Sequence, residues 1–260
     1  MIRLVVTDLD GTFLGPQKEI SMEARKTVSL LKERDIFFTF ITGRPPYAVK
    51  RFSDLVGIDG PIVSCNGAII YKEDKILTRH SFMLAPLQEL MEQAAKMGLT
   101  VLYYLNDVEF TLSETAWTKQ RKNEGRPVPV RTFTQEEWGS LAADKLNIMA
   151  GEIAGFAALY QEFAWLKKDY SISFYGDMGC EIVADGINKA TGLLELCEMI
   201  KISPKEVLAV GDNENDIEML KLAGIGAAVA NASDAAKESA DYVCKNACTD
   251  GVVEAICRFT

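Results

Sequence analysis

Val5-Val6-Thr7-Asp8-Leu9-Asp10-Gly11-Thr12 is the stretch from which the rest of the chain can be read. Leu4-Val5-Val6 is a short unbroken apolar run, the pattern of a parallel strand buried on both faces, and it delivers two carboxylates one residue apart at its carboxyl end. In open α/β sheets that end is where ligands bind. If the strand geometry continues, Asp8 and Asp10 point the same way, and Gly11 breaks the strand directly after them. Neighbouring carboxylates repel, so a hard cation such as magnesium is the cheapest way to keep both ionised.

Two further apolar runs end in the same manner. Ile36 to Ile41 reads as a second buried strand leading into Thr42-Gly43-Arg44-Pro45-Pro46. The Thr42 hydroxyl and an unobstructed Gly43 amide suit phosphate oxygens, although in isolation the tripeptide is equally a capped strand-to-helix turn. Val207 to Val210 runs into Gly211-Asp212-Asn213-Glu214-Asn215-Asp216. A doubly wound sheet sets the carboxyl ends of its parallel strands along one edge, so these groups can converge. Asp8, Asp10 and Asp212 make an oxygen-only ligand set, which fits magnesium completed by water and a substrate phosphate; the absence of sulfur and nitrogen ligands argues against zinc. Asp216 reads as a carboxylate at a helix N-terminus that orients the site from behind.

Around these runs the chain alternates strand and helix. Ser21 caps a helix with Ala24, Val28 and Leu31 on one face, and Asn188-Lys189 opens another with Leu193, Leu196, Cys197 and Ile200 inward. Residues 61 to 65 read as a third strand, Asn66-Gly67 as a turn before a hairpin, and Ala227 to Val229 and Tyr242 to Cys244 as the last two strands. Between 83 and 185 the alternation stops. A helix from Pro86 to Gly98 is followed by antiparallel strands Leu99 to Leu105 and Val108 to Leu112, helices near 114 to 124 and 153 to 167, and strands at 145 to 150, 170 to 175 and 180 to 184. The expected fold is therefore α/β: a doubly wound, mostly parallel, Rossmann-like core sheet from residues 1–82 and 186–260, with 83–185 as an inserted α+β cap domain.

Composition narrows the function. With 260 residues, 48% apolar and 25% charged, the chain has the make-up of a globular protein. Its net charge of −9 argues against nucleic acid, and a phosphate substrate would need a local cation or metal. No run is long enough to span a membrane and Met1-Ile2-Arg3-Leu4 leads straight into a strand, which points to the cytoplasm. Cysteines 65, 180, 197, 244, 248 and 257 contain no CxxC pair and read mostly as reduced core residues, and the single His80 argues against histidine catalysis. Tyr103, Tyr104, Trp117 and Phe174 in the insert read as core aromatics.

Taken together, the chain resembles the haloacid dehalogenase-like phosphatases, and among them the Cof-type sugar-phosphate phosphatases with a large α/β cap. Asp8-Leu9-Asp10-Gly11-Thr12 is similar to the family's first motif, Thr42-Gly43-Arg44 to its second, Lys189 to its third and Gly211 to Asp216 to its fourth, with Ala230-Asn231-Ala232 and Asp250-Gly251-Val252 resembling the family's ending. Ala190 departs from the pattern, which has glycine after the lysine. The resemblance implies a phosphoric monoester hydrolase for small phosphorylated metabolites, with Mg²⁺ and no obligatory protein partner. It implies Asp8 as nucleophile and Asp10 as the acid that protonates the leaving oxygen and then activates water. Asp10 needs a partly raised pKa for that work. Asp8, the Asp10 carbonyl and Asp212 would hold the metal, and Leu9, Thr42, Gly43, Lys189 and Asn215 would contact the phosphoryl group. Two rivals share the groups: a phosphotransferase or mutase of the same fold, and a phospho-aspartate signalling receiver. Asp10 and the inserted domain stand against the receiver, which is usually a single compact domain.

Overall fold

The structure is a computed structural model that describes residues 1–150, 166–175 and 178–260. The helix expected at 153–167 lies outside the described residues apart from its last two. The chain divides into two compact units, Met1–Arg79 with Ile187–Thr260, and His80–Gly186. In chain order, the strands of the first segment are β1 (Leu4–Thr7), β2 (Phe37–Phe40), β3 (Ile62–Ser64), β4 (Ile69–Lys72) and β5 (Lys75–Arg79). The second unit carries β6 (Phe82–Met83), β7 (Thr100–Leu105), β8 (Val108–Thr111), β9 (Ala142–Ala143), β10 (Lys145–Met149), β11 (Tyr170–Phe174) and β12 (Gly179–Ala184). The chain then returns to the first unit with β13 (Val207–Gly211), β14 (Ile225–Ala228) and β15 (Tyr242–Val243).

The first unit is built on a parallel sheet in the order β15-β14-β13-β1-β2. β1 lies between β13 and β2, with Leu4 in register with both Val207 and Phe37. Its residues and those of β13 are buried on both faces, which is why each reads as a continuous apolar run instead of alternating. On one face Leu4, Val6, Val207 and Ala209 pack with Leu193, Leu196 and Cys197 of the helix Lys189–Ile200 and with Met219 and Leu220 of the helix Ile217–Leu222. The helices Met22–Glu33 and Cys248–Phe259 pack against each other and reach β2 and β13 respectively. The Ser21 hydroxyl caps the first of these, accepting the Ala24 N–H at 3.1 Å.

The strand expected at 61–65 is shorter than its apolar run. β3 meets the parallel sheet through an Ile41–Val63 bridge and then pairs antiparallel with β4, because Cys65 and Asn66 take φ of 50° and 52° and fold the chain back.

The second unit holds an antiparallel sheet in the order β11-β12-β10-β7-β8. Asn106 and Asp107, both at positive φ, turn β7 into β8, a type of corner that such residues accept at little cost. The helix expected from Pro86 begins as a short 3₁₀ turn over Ala85–Leu87, then runs Gln88–Lys96; its Leu90, Met91 and Ala94 join Tyr103, Ile148, Ile182 and Trp138 in one core. The helix expected near 114–124 is Ala116–Asn123, capped by Thr115. All six cysteines are free; four are buried, Cys248 is half-buried and Cys257 is exposed. Among the described residues no helix is long and apolar enough to cross a membrane.

Candidate active site

The carboxyl ends of β13, β1 and β2, three neighbouring strands of the parallel sheet, supply the site, all of it within the first unit. β1 stops at Thr7, and Asp8 follows with only 5% of its surface exposed. Its neighbours are fixed by backbone chemistry. Gly11 stands at φ +83°, and a side chain there would place its Cβ 2.4 Å from Asp212 Oδ2, so only glycine lets the two carboxylate loops approach. Thr12 Oγ1 donates to Asp212 Oδ1 at 2.5 Å. Asp216, completely buried, accepts the Asp212 and Asn213 N–H groups on Oδ2 at 3.0 and 3.1 Å. It therefore folds the loop after β13 onto itself.

Lys189 joins these loops. Its Nζ donates to Asp8 Oδ1 and to Asp216 Oδ1, each at 2.7 Å, with 1% of the lysine exposed. The helix that delivers it starts at Asn188, whose Oδ1 accepts the Thr191 N–H at 2.9 Å. Close approach at Gly67 brings it in: a Cβ there would lie 2.2 Å from the Asn188 carbonyl oxygen. A lysine in such a place reads in sequence as a solvated helix residue, and its burial comes wholly from tertiary contacts.

The charges do not balance. Asp8, Asp212 and Asp216 offer ligand oxygens within 4.8 Å of one another, against one ammonium group. Burial, reinforced by repulsion from Asp216 and Asp212, pushes the Asp8 pKa up despite Lys189. Burial likewise raises Asp212 to about 6, with Asp216 and Asp10 adding to it and Thr12 opposing. Burial disfavours the Lys189 ammonium, but Asp216 and Asp8 outweigh it and hold its pKa above the ordinary value. The residues fit a hard divalent cation. All donors are oxygens, the negative charge is in excess, and Asp8 Oδ2 and Asp212 Oδ2 lie outside the hydrogen bonds just described.

Asp10 is placed differently from the expectation that it would point with Asp8. The strand has already ended, residues 10 and 14 bridge across the Gly11 turn, and the Asp10 carboxylate takes both Nε and Nη2 of Arg44 at 2.5 Å each. Arg44 is itself fixed by the Ala48 carbonyl at 3.3 Å and lies 4.9 Å from the centre of the Phe52 ring. Thr42, buried, accepts the Arg44 N–H on Oγ1 at 3.2 Å, and Gly43 follows it at the same strand end. Leu9 buries its side chain and offers its carbonyl to the Leu14 N–H at 2.7 Å.

Asn66 reads in sequence as a turn more than a ligand, in a segment that the family resemblance sets near the site, and it does more. The turn is there, a 3₁₀ segment Cys65–Gly67, but it also aims the buried Asn66 side chain at Asn215, whose Nδ2 donates to Asn66 Oδ1 at 3.2 Å. The only local signal is an asparagine in a tight turn, one of the few residues that accept the left-handed region. Its partner is 149 residues away.

The model of the haloacid dehalogenase-like hydrolases matches residues 5–256. The chain is 26% identical over 256 residues to the 5-amino-6-(5-phospho-D-ribitylamino)uracil phosphatase of Bacillus subtilis, covering 98% of this chain and 94% of that protein. It is 28% identical to a phosphoglycolate phosphatase of Methanothermobacter thermautotrophicus, with 99% of each covered. The crystal structure of a haloacid dehalogenase-like hydrolase from Bacteroides thetaiotaomicron superposes with a TM-score of 0.82 at 29% identity, over the full length of both chains. With a family model spanning nearly all of the chain and full-length similarity to phosphatases, this protein belongs to the haloacid dehalogenase-like hydrolases, as a Cof-type phosphatase.

Proposed function

We propose that the chain is a magnesium-dependent phosphatase of small phosphorylated metabolites, sugar phosphates foremost, that works through a phospho-aspartyl intermediate on Asp8. The observation that carries this reading is the Asp8 carboxylate itself: buried at the end of β1, held on one oxygen by Lys189, with Asp212 beside it. Magnesium, when bound by Asp8, the Asp10 carbonyl and Asp212, supplies charge neutralisation for the carboxylates and the phosphoryl oxygens. A carboxylate kept ionised in this way is a nucleophile.

In the first step an Asp8 oxygen bonds to phosphorus, the bond from phosphorus to the leaving oxygen breaks, and Asp10 gives that oxygen a proton. In the second, Asp10 takes a proton from water, the water oxygen bonds to phosphorus, and the Asp8–phosphorus bond breaks to release phosphate. Acid–base help of this kind contributes about 10²–10⁴-fold. The Arg44–Asp10 pair is two-pronged, with the Asp10 side chain 49% exposed, and it has to open for Asp10 to take up and give its proton. Thr42, the Gly43 and Leu9 amides, Lys189 and Asn215 would position the phosphoryl group, and Asp216 would orient Lys189 and the Asp212 loop.

Two relatives of similar identity act on different phosphorylated molecules, so the choice of substrate is not carried by the shared core. We assign that choice to the inserted domain, residues 83–185 by the sequence pattern. A screen of phosphorylated sugars, nucleotides and cofactors with magnesium, scored by phosphate release, tests the reading. Turnover that needs Asp8 and favours sugar phosphates is expected; no phosphate release from any compound would defeat it.

A further inference from the structure

The loop bearing Asp8 and Asp10 is also gripped by a part of the chain that this chemistry does not use. Asn231, in the connection after β14, donates from Nδ2 to the Gly11 carbonyl at 2.8 Å, while its Oδ1 accepts the Cys248 N–H at 2.8 Å. Thr249 Oγ1 donates to the Phe13 carbonyl at 2.7 Å. Two residues beyond Asn231, the Ser233 N–H donates to the Asp212 carbonyl at 2.8 Å. One short connection thus touches both carboxylate loops, and the start of the helix Cys248–Phe259 touches the first of them again.

The held loop is stiff. Inside it the Gly11 N–H donates to the Leu14 carbonyl, Phe13 N–H to Asp8 and Leu14 N–H to Leu9, at 2.9, 3.3 and 2.7 Å. These bonds tie residues 8–14 into one unit, so the contacts at the Gly11 and Phe13 carbonyls, together with Arg44 on its carboxylate, set where Asp10 stands. Cys248 shows that the grip is built at a cost: it sits at φ 48°, a conformation that non-glycine residues adopt only where their surroundings impose it, and Asn231 holds its N–H there.

We infer that Asn231 and Thr249 are positioning residues, a clamp that sets the acidic loop against the Asp212 loop so that Asp10 meets the leaving oxygen. The inference rests on the phosphatase reading above. Catalytic geometry is intolerant of displacement, and a shift of about 1 Å costs about 10²-fold.

Thr249→Val keeps the shape and removes the hydroxyl, and Asn231→Ala removes the second anchor. Each is expected to lower kcat on an alkyl phosphate by about 10–10²-fold with KM unchanged. With p-nitrophenyl phosphate, whose leaving group needs no proton from Asp10, the first step should be spared and the second slowed, so both variants should build up more phosphorylated Asp8 than the wild type. Thr249→Ser, which returns the hydroxyl, should restore the rate, and amide exchange of residues 8–14 should rise in the two weakened variants alone. Lost turnover with no build-up of phosphorylated Asp8 from p-nitrophenyl phosphate would mean general destabilisation and overturn the clamp. So would wild-type kcat with unchanged exchange. Full activity of Asp8→Asn would instead sink the phosphatase reading, and loop exchange would still decide whether the clamp exists.

Discussion

Each unit buries a lysine against a carboxylate, and the two arrangements differ in charge balance. In the antiparallel unit Lys145 on β10 meets Glu181 on β12 at 2.9 Å, side chains 7% and 1% exposed, with the Tyr175 hydroxyl also on Glu181. There one ammonium meets one carboxylate within a sheet, on strands held in mutual register. In the parallel unit Lys189 meets Asp8 and Asp216 with Asp212 alongside, so one cation faces three carboxylates at the ends of strands. The first joins two strands of one sheet. The second is incomplete without further positive charge, and a metal or a substrate site is where such an excess is useful.

The largest test of this contrast is Asp8→Asn, which removes the nucleophile and part of the metal site. A loss of about 10⁴-fold or more in turnover is expected for every substrate. Measurable activity near wild type would place the chemistry elsewhere.

Next comes Asp10→Asn, expected to slow turnover by about 10²–10⁴-fold while leaving substrate binding intact. With an aryl phosphate the variant should accumulate phosphate on Asp8, seen as a mass adduct in quenched protein. An adduct on any other residue counts against the assignment.

The two lysines can be compared directly. Breaking a buried pair from one side costs about 3–5 kcal/mol, so Lys189→Met and Lys145→Met should both lower stability in denaturant titrations. Only the former should also remove hydrolysis of p-nitrophenyl phosphate. Replacing both Lys145 and Glu181 by apolar residues should recover part of the loss, since neither charge is then left buried without the other. If Lys145→Met silenced the aryl phosphate reaction as well, the contrast would fail.

The smallest effect concerns pH. A carboxyl whose folded pKa is raised binds its proton more tightly in the folded state, so its contribution to stability is full below the ordinary value near 3.9 and falls as pH climbs to the folded value. For Asp212 that value is about 6, and Asp8 is shifted in the same direction. The metal-free protein should therefore lose stability between pH 4 and 8 through this cluster, and magnesium should offset the loss. The rise in Tm on adding magnesium is expected to be larger at pH 8 than at pH 5 by about 2–4 °C. Equal rises at the two pH values would show that the cluster is not the binding site.

Much of this architecture is legible in the residue order. Parallel strands buried on both faces leave unbroken apolar runs, so Leu4–Val6 and Val207–Val210 stand out, and the polar residues that follow mark the sheet edge where ligands gather. The Asn106-Asp107 corner and the antiparallel strands on either side of it are equally readable, because turn chemistry is local.

Residue order is enough for the parallel α/β core, the antiparallel insert, the family and the strand ends at which the carboxylates stand, since each depends on a pattern over a few positions. How the groups are paired is decided only when the chain is folded: Asp10 turns to Arg44, Asn66 to Asn215 and Asn231 to Gly11, across 34, 149 and 220 residues. Folding also buries Lys189 among three carboxylates, which no local pattern around that lysine foretells. Those outcomes depend on which side chains the sheet order brings within about 3.5 Å of each other, since hydrogen bonds weaken steeply beyond that distance.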